Sequence, residues 1–128
     1  MATDIFAVLT YDTNKAENIL DISEVWTPVL TLNTPNRDAG QYNWGISMTY
    51  TFVSAIKSAF FRWRQDGGAW NEYQSEPKDI TDKTAVYYAF PSGYAAGTHV
   101  FEAQMRKEDA GSGQLDLLFI DMFFQRIG

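Results

Sequence analysis

The chain of 128 residues contains no cysteine, which removes disulfides, zinc ribbons, thiol catalysis and iron–sulfur clusters together. It has a single histidine, His99, so any Ser-His-Asp or His-based metal scheme would rest on one side chain. Positive charge is scarce as well. Ten basic residues stand against sixteen acidic ones, for a net charge of −6. A nucleic-acid binder draws most of its affinity from neutralising phosphates, and this balance repels them. The one basic cluster, Lys57, Arg62, Arg64 and Arg106, reads as cross-strand pairing with carboxylates such as Glu102 and Glu108. Nucleic acid is not an expected partner.

No apolar run approaches the roughly 20 residues that a spanning helix needs. The opening Met1-Ala2-Thr3-Asp4 has neither the basic region nor the apolar stretch of a signal peptide. No membrane partner is expected, and synthesis is expected in the cytoplasm. Gly-x-Ser-x-Gly, Gly-rich phosphate loops and His-Glu-x-x-His are all missing.

His99 opens an apolar strand and reads as a structural histidine with one ring nitrogen bonded. The carboxylate pairs Asp79 with Asp82 and Asp109 with Asp116 read as loop charges rather than a metal cage. Asp121 alone interrupts an apolar strand, with Arg126 or Arg106 as its natural partner if buried. The sequence therefore leads us to expect no enzyme, no metal and no cofactor.

Aromatic residues are what the chain does have: nine Phe, seven Tyr and four Trp. Together with β-branched residues they suit a pleated, half-buried surface. Between Gln41 and Phe52, the even positions Tyr42, Trp44, Ile46, Met48, Tyr50 and Phe52 are apolar. The odd positions are small or polar. Side chains alternate sides along a strand, so this is a strand with one buried and one wet face, as in an antiparallel sheet.

Further strands are predicted over 58–65, 70–73, 84–90, 99–106 and 114–127, and over 4–10 and 25–32. Asp66-Gly67-Gly68-Ala69 supplies a hairpin turn, and Pro91-Ser92-Gly93 a second turn. Pro28 places strand 25–32 at an edge or bulge. Asn14 and Glu17 have capping-box spacing, which suggests a short helical turn over 14–20. The count gives an all-β fold in one domain spanning 1–128. Residues 1–40 form an N-terminal arm and first strands, and 41–128 the core of an antiparallel β-sandwich of about eight strands.

The last strand differs from the rest. Leu115, Leu117, Phe119 and Phe123 fall on one parity and Leu118, Ile120, Met122 and Phe124 on the other. Both faces then need cover, from another part of the chain or, the favoured alternative, from another subunit. Leu118, Ile120, Met122 and Phe124 are the expected self-association surface of a homodimer or homotrimer.

Two stretches carry a resemblance. One is Ala96-Gly97-Thr98-His99-Val100-Phe101-Glu102-Ala103-Gln104-Met105-Arg106 with its Gly/Ser turn and Leu115 to Ile127. The other is Ala39-Gly40-Gln41-Tyr42-Asn43-Trp44 with the long strand and Phe61-Arg62-Trp63-Arg64 after it. Over about 90 of the 128 residues, this resembles the small jelly-roll virion proteins of tailed bacteriophages, the capsid decoration or cement proteins and fibre heads. The resemblance implies a non-catalytic structural protein at the capsid surface, bound to the major capsid protein lattice. Ile5, Phe6 and Val8 would make the lattice contact. The alternative is a glycan- or receptor-binding sandwich, either a fibre tip or a carbohydrate-binding module. Its aromatic platform would be Trp70, Tyr73 and Tyr94 beside Asn71, Glu72 and Gln74.

Overall fold

The computed structural model describes residues 11–53, 58–76 and 83–128. Eight strands run in chain order: β1 (Tyr11–Ile22), β2 (Thr27–Asn33), β3 (Gly40–Phe52), β4 (Ala59–Gln65), β5 (Asn71–Ser75), β6 (Thr84–Tyr94), β7 (Val100–Lys107) and β8 (Leu115–Arg126). They make two four-stranded sheets, ordered β1-β8-β3-β6 and β2-β7-β4-β5, with every pairing antiparallel. Successive strands cross between sheets except at the β4–β5 hairpin. That hairpin turns through Asp66 and Gly67, both at positive φ. The all-β sandwich expected from the alternation is the fold observed, with no helix among the described residues.

The sheets meet through the alternating apolar faces. Tyr42, Trp44, Ile46, Met48, Tyr50 and Phe52 of β3 are buried against Phe61 and Trp63 of β4 and Phe101 and Met105 of β7. Trp44 is the hub. Its ring lies 4.5 Å from Trp63 and 5.4 Å from Phe101, while Tyr42 stacks on Phe124 at 4.3 Å. Ring pairs of this kind add about 0.5–1.5 kcal/mol each beyond the burial of their area.

Three expectations are corrected. The segment 14–20 is not a helical turn: β1 pairs with β8 along its length, from Tyr11↔Gln125 to Ile22↔Leu115. Ladder bonds to β8 outweigh the local capping pattern. An edge position lets Asn14, Lys15 and Glu17 stay exposed while Ala16 and Ile19 pack on the core. Asn18 and Asp21 at positive φ mark the irregularity in this ladder. Pro91-Ser92-Gly93 is likewise not a turn but the continuation of β6 beside Gln41 to Asn43. β6 is an edge strand, so proline's missing N–H costs no ladder bond on its free side.

The third correction concerns β8. Its register against β3 shifts between Thr49↔Phe119 and Tyr50↔Leu117, which leaves Leu118 as an extra residue. This bulge flips the phase. Leu115 and Leu117 before it, and Ile120, Met122 and Phe124 after it, all face the same core, each at 0% exposure. The predicted self-association residues Ile120, Met122 and Phe124 are thus covered by the chain's own second sheet, and Leu118 is half-buried in the bulge. Ile5, Phe6, Val8 and the strand expected over 4–10 lie outside the described residues.

The true outer face of β8 presents Phe119, Asp121 and Phe123. Phe123 lies across Gly45 of β3, where a Cβ would sit 2.2 Å from its ring. Asp121 sits opposite Lys15 and Ser47, not beside Arg126 or Arg106. Burial raises its pKa, and the Lys15 charge only partly opposes that.

Candidate functional site

Among the described residues, β5 and β6 are edge strands of the two sheets, and side chains from both line one cleft. β5 is five residues long and β6 eleven. This open cleft of about 460 Å³ is lined by Trp63, Asn71, Glu72, Tyr73, Val86, Tyr87 and Tyr88.

Its aromatic wall follows from register. Tyr88 pairs with Ile46 and therefore turns toward the sheet interface, but with no full-length strand opposite it remains 43% exposed. The Tyr88 ring lies 5.6 Å from Trp63 and 5.6 Å from Phe90. Tyr87, on the opposite parity, forms the rim at 66% exposure. Tyr73 stacks on Phe61 at 5.3 Å, and burial pushes its hydroxyl pKa up. The Tyr73 hydroxyl oxygen is buried with no hydrogen-bond partner among the described residues.

Exposed Asn71 and Glu72 supply the polar side. The Asn71 side chain donates to the Trp63 carbonyl oxygen at 3.4 Å, and Glu72 stands opposite Arg62 in the β4–β5 ladder. Exposed rings beside an amide and a carboxylate suit a polyhydroxylated ligand. The rings cover its C–H faces, and the polar groups exchange hydrogen bonds with its hydroxyls.

Of the three aromatics the sequence put forward for glycan contact, only Tyr73 lines this cleft. Tyr94 is buried at the His99 end of the sandwich, where its hydroxyl donates to Gln65 Oε1 at 2.8 Å. Its pKa is pushed up to about 12 by burial. Trp70 faces the outside of the β2-β7-β4-β5 sheet, where Arg62 and Arg64 each lie 4.3 Å from its ring. Nothing in the sequence singles out Tyr87, Tyr88 or Trp63 for this role. The run Ala85-Val86-Tyr87-Tyr88-Ala89-Phe90 reads as a core strand until the length of its facing partner is known.

His99 is 8% exposed and structural in setting. Its Nδ1 lies 2.8 Å from Asp66 Oδ2 and its Nε2 2.9 Å from the Ala95 carbonyl oxygen. Among the described residues, no group of three or more His, Asp or Glu is placed to hold a metal ion. Asp116 accepts from the Asp21 backbone N–H and from Gln114 Nε2; Asp79 and Asp82 lie outside the described residues.

No family model matches the chain, and no curated protein matches it in sequence. Solved structures do match in shape. The C-terminal domain of EclA, described as a sugar-binding protein, aligns with a TM-score of 0.51 at 9% identity, over 88% of this chain and 78% of that one. A structure of infectious bursal disease virus, Gx strain, aligns with a TM-score of 0.51 at 9% identity. That match covers 91% of this chain but only 33% of the viral one. A carbohydrate-binding module from Cellvibrio mixtus lichenase 5A, in complex with cellotriose, aligns more loosely, with a TM-score of 0.45 at 12% identity over 90% and 96% of the two chains. At these identities the likeness defines the fold: the protein is a β-sandwich of jelly-roll type.

Proposed function

We propose that the protein is a glycan-binding β-sandwich that holds a sugar unit in the cleft between β5 and β6, without turnover. The cleft itself carries the reading, through Tyr88 standing exposed against Trp63, with Tyr87 at the rim and Asn71 and Glu72 beside them. Large exposed rings are costly on a small domain unless they meet a ligand. That the similarly folded EclA C-terminal domain is described as a sugar-binding protein supports the reading. A glycan array with the purified chain tests the reading. Binding of a defined set of glycans, weakened at least about tenfold by Tyr88→Ala (about 1.4 kcal/mol), supports it. An array that stays silent with folded protein overturns it.

A structural role in a virion, as a homo-oligomer on a capsid lattice, is the second reading. Its support lies on the outer face of the β1-β8-β3-β6 sheet, where Tyr11 stacks on Phe123 at 6.1 Å and Phe119 and Tyr87 add apolar area. The test is oligomeric state. A homo-oligomer that Phe123→Asp converts to folded monomer favours this reading, whereas a wild-type monomer without affinity for capsids removes it.

A further inference from the structure

The outward face of the second sheet carries an alternating stack of cations and rings. Arg106 lies 4.1 Å from the Phe60 ring and 5.1 Å from Trp26. Arg62 lies 4.5 Å from Trp26 and 4.3 Å from Trp70, and Arg64 lies 4.3 Å from Trp70. Strand geometry builds this array. Phe60, Arg62 and Arg64 share the outer parity of β4, and β7 places Arg106, Gln104 and Glu102 directly opposite them. Trp26 and Trp70 come from just before β2 and β5 and fill the spaces between the guanidinium groups.

The hydrogen bonds leave charge unbalanced. Arg64 is matched by Glu102, with Nε 2.9 Å from Oε1. Among the described residues, Arg62 bonds the neutral Gln104 side chain, with Nε 2.8 Å from Oε1, and has Glu72 as its ladder neighbour on the other side. Arg106 Nη1 donates to the carbonyl oxygens of Lys107 and Glu108. Among the described residues, two guanidinium groups therefore make their hydrogen bonds to neutral acceptors, on a chain of net charge −6. Such a fixed pair draws anions to this face against the field of the whole molecule.

We infer that this face binds an anionic polysaccharide, a chain bearing carboxylate or sulfate groups on its sugar rings. The array alternates cationic forks with half-buried aromatic rings. A charged polysaccharide alternates anionic groups with the C–H faces of its sugars, and so complements both. An acidic peptide would complement only the charge. The inference does not rest on the cleft reading, because the residues, the face and the ligand charge all differ.

The test titrates the intact chain at low salt with a sulfated polysaccharide, a polyuronate, neutral dextran and polyglutamate. Binding to the sulfated chain or the polyuronate, weakening as salt rises, is expected, with the two arms identifying the anionic group. Arg62→Gln with Arg106→Gln should reduce that affinity at least about tenfold. Because those substitutions also remove packing, Glu102→Gln provides the second variant. It keeps every arginine, removes the matched carboxylate, and should tighten binding several-fold. No binding to either anionic polysaccharide, equal binding to polyglutamate, or affinity unmoved in the folded variants overturns the inference. Failure on the neutral glycan array leaves it standing.

Discussion

The Asp66 carboxylate ties two elements to one imidazole: its Oδ2 meets His99 Nδ1 at 2.8 Å, while its Oδ1 accepts the Val100 backbone N–H at 2.8 Å. The other ring nitrogen faces the Ala95 carbonyl oxygen, which can only accept. An imidazole donates from both nitrogens only when protonated. Burial works against that charge, but the bonds to Asp66 and Ala95 outweigh it, and the net shift of the His99 pKa is upward. The folded chain thus holds this proton more tightly than the unfolded chain. The resulting stability is complete below the ordinary histidine value of about 6.5 and is lost as pH rises through the elevated folded value. Urea midpoints for the wild type should fall across that window, and His99→Gln should flatten the fall. Parallel curves for the two proteins would contradict it.

Gly45→Ala should destabilise the fold by about 1–3 kcal/mol, because the added methyl would stand 2.2 Å from the Phe123 ring. Combined with Phe123→Ala, the glycine substitution should cost much less than it does alone. A double-mutant cycle from chemical denaturation reads this coupling directly.

Ile120→Asp should unfold the protein rather than dissociate an assembly, at a cost above about 4 kcal/mol. It places a carboxylate at a position with 0% exposure between the sheets. Phe123→Asp, on the outer face, should leave circular dichroism close to wild type. A well-folded Ile120→Asp protein would refute the register of β8.

Tyr73→Phe should leave stability unchanged or raise it by about 1 kcal/mol, since it removes a buried hydroxyl with no partner among the described residues. Thermal unfolding is the measurement. A clear loss of stability would show that this hydroxyl has a partner in solution.

The two-sheet fold was legible because β3, β4 and β7 each have one dry and one wet face, and the period of two survives in their sequences. What went unread has physical causes. In β8, the apolar parity changes between Leu117 and Ile120. That change is the mark of a bulge, yet it also looks like a strand dry on both sides. In β1, the polar Asn14, Lys15 and Glu17 hid a strand, because an edge strand with one side in water needs few apolar residues. The cleft was the least accessible feature. Tyr88 faces the interface opposite a strand of only five residues, Tyr87 lies on the outer parity of the same strand, and the mismatch of two edges distant in sequence leaves no local pattern. The arginine cluster was visible, and so was its pairing with Glu102. The interleaving of Trp26 and Trp70 depended on loop placement.

The pairing of β1 with β8 brings Thr13 within hydrogen-bonding distance of the Met122 carbonyl oxygen, 2.9 Å away at a sequence separation of 109. Among the described residues, the first strand has the last as its ladder partner. A nascent chain emerging from the ribosome must therefore carry β1 unpaired until β8 is synthesised. Closure over so long a loop is a slow step, so the chain is expected to fold on the millisecond-to-second scale typical of non-local β architectures.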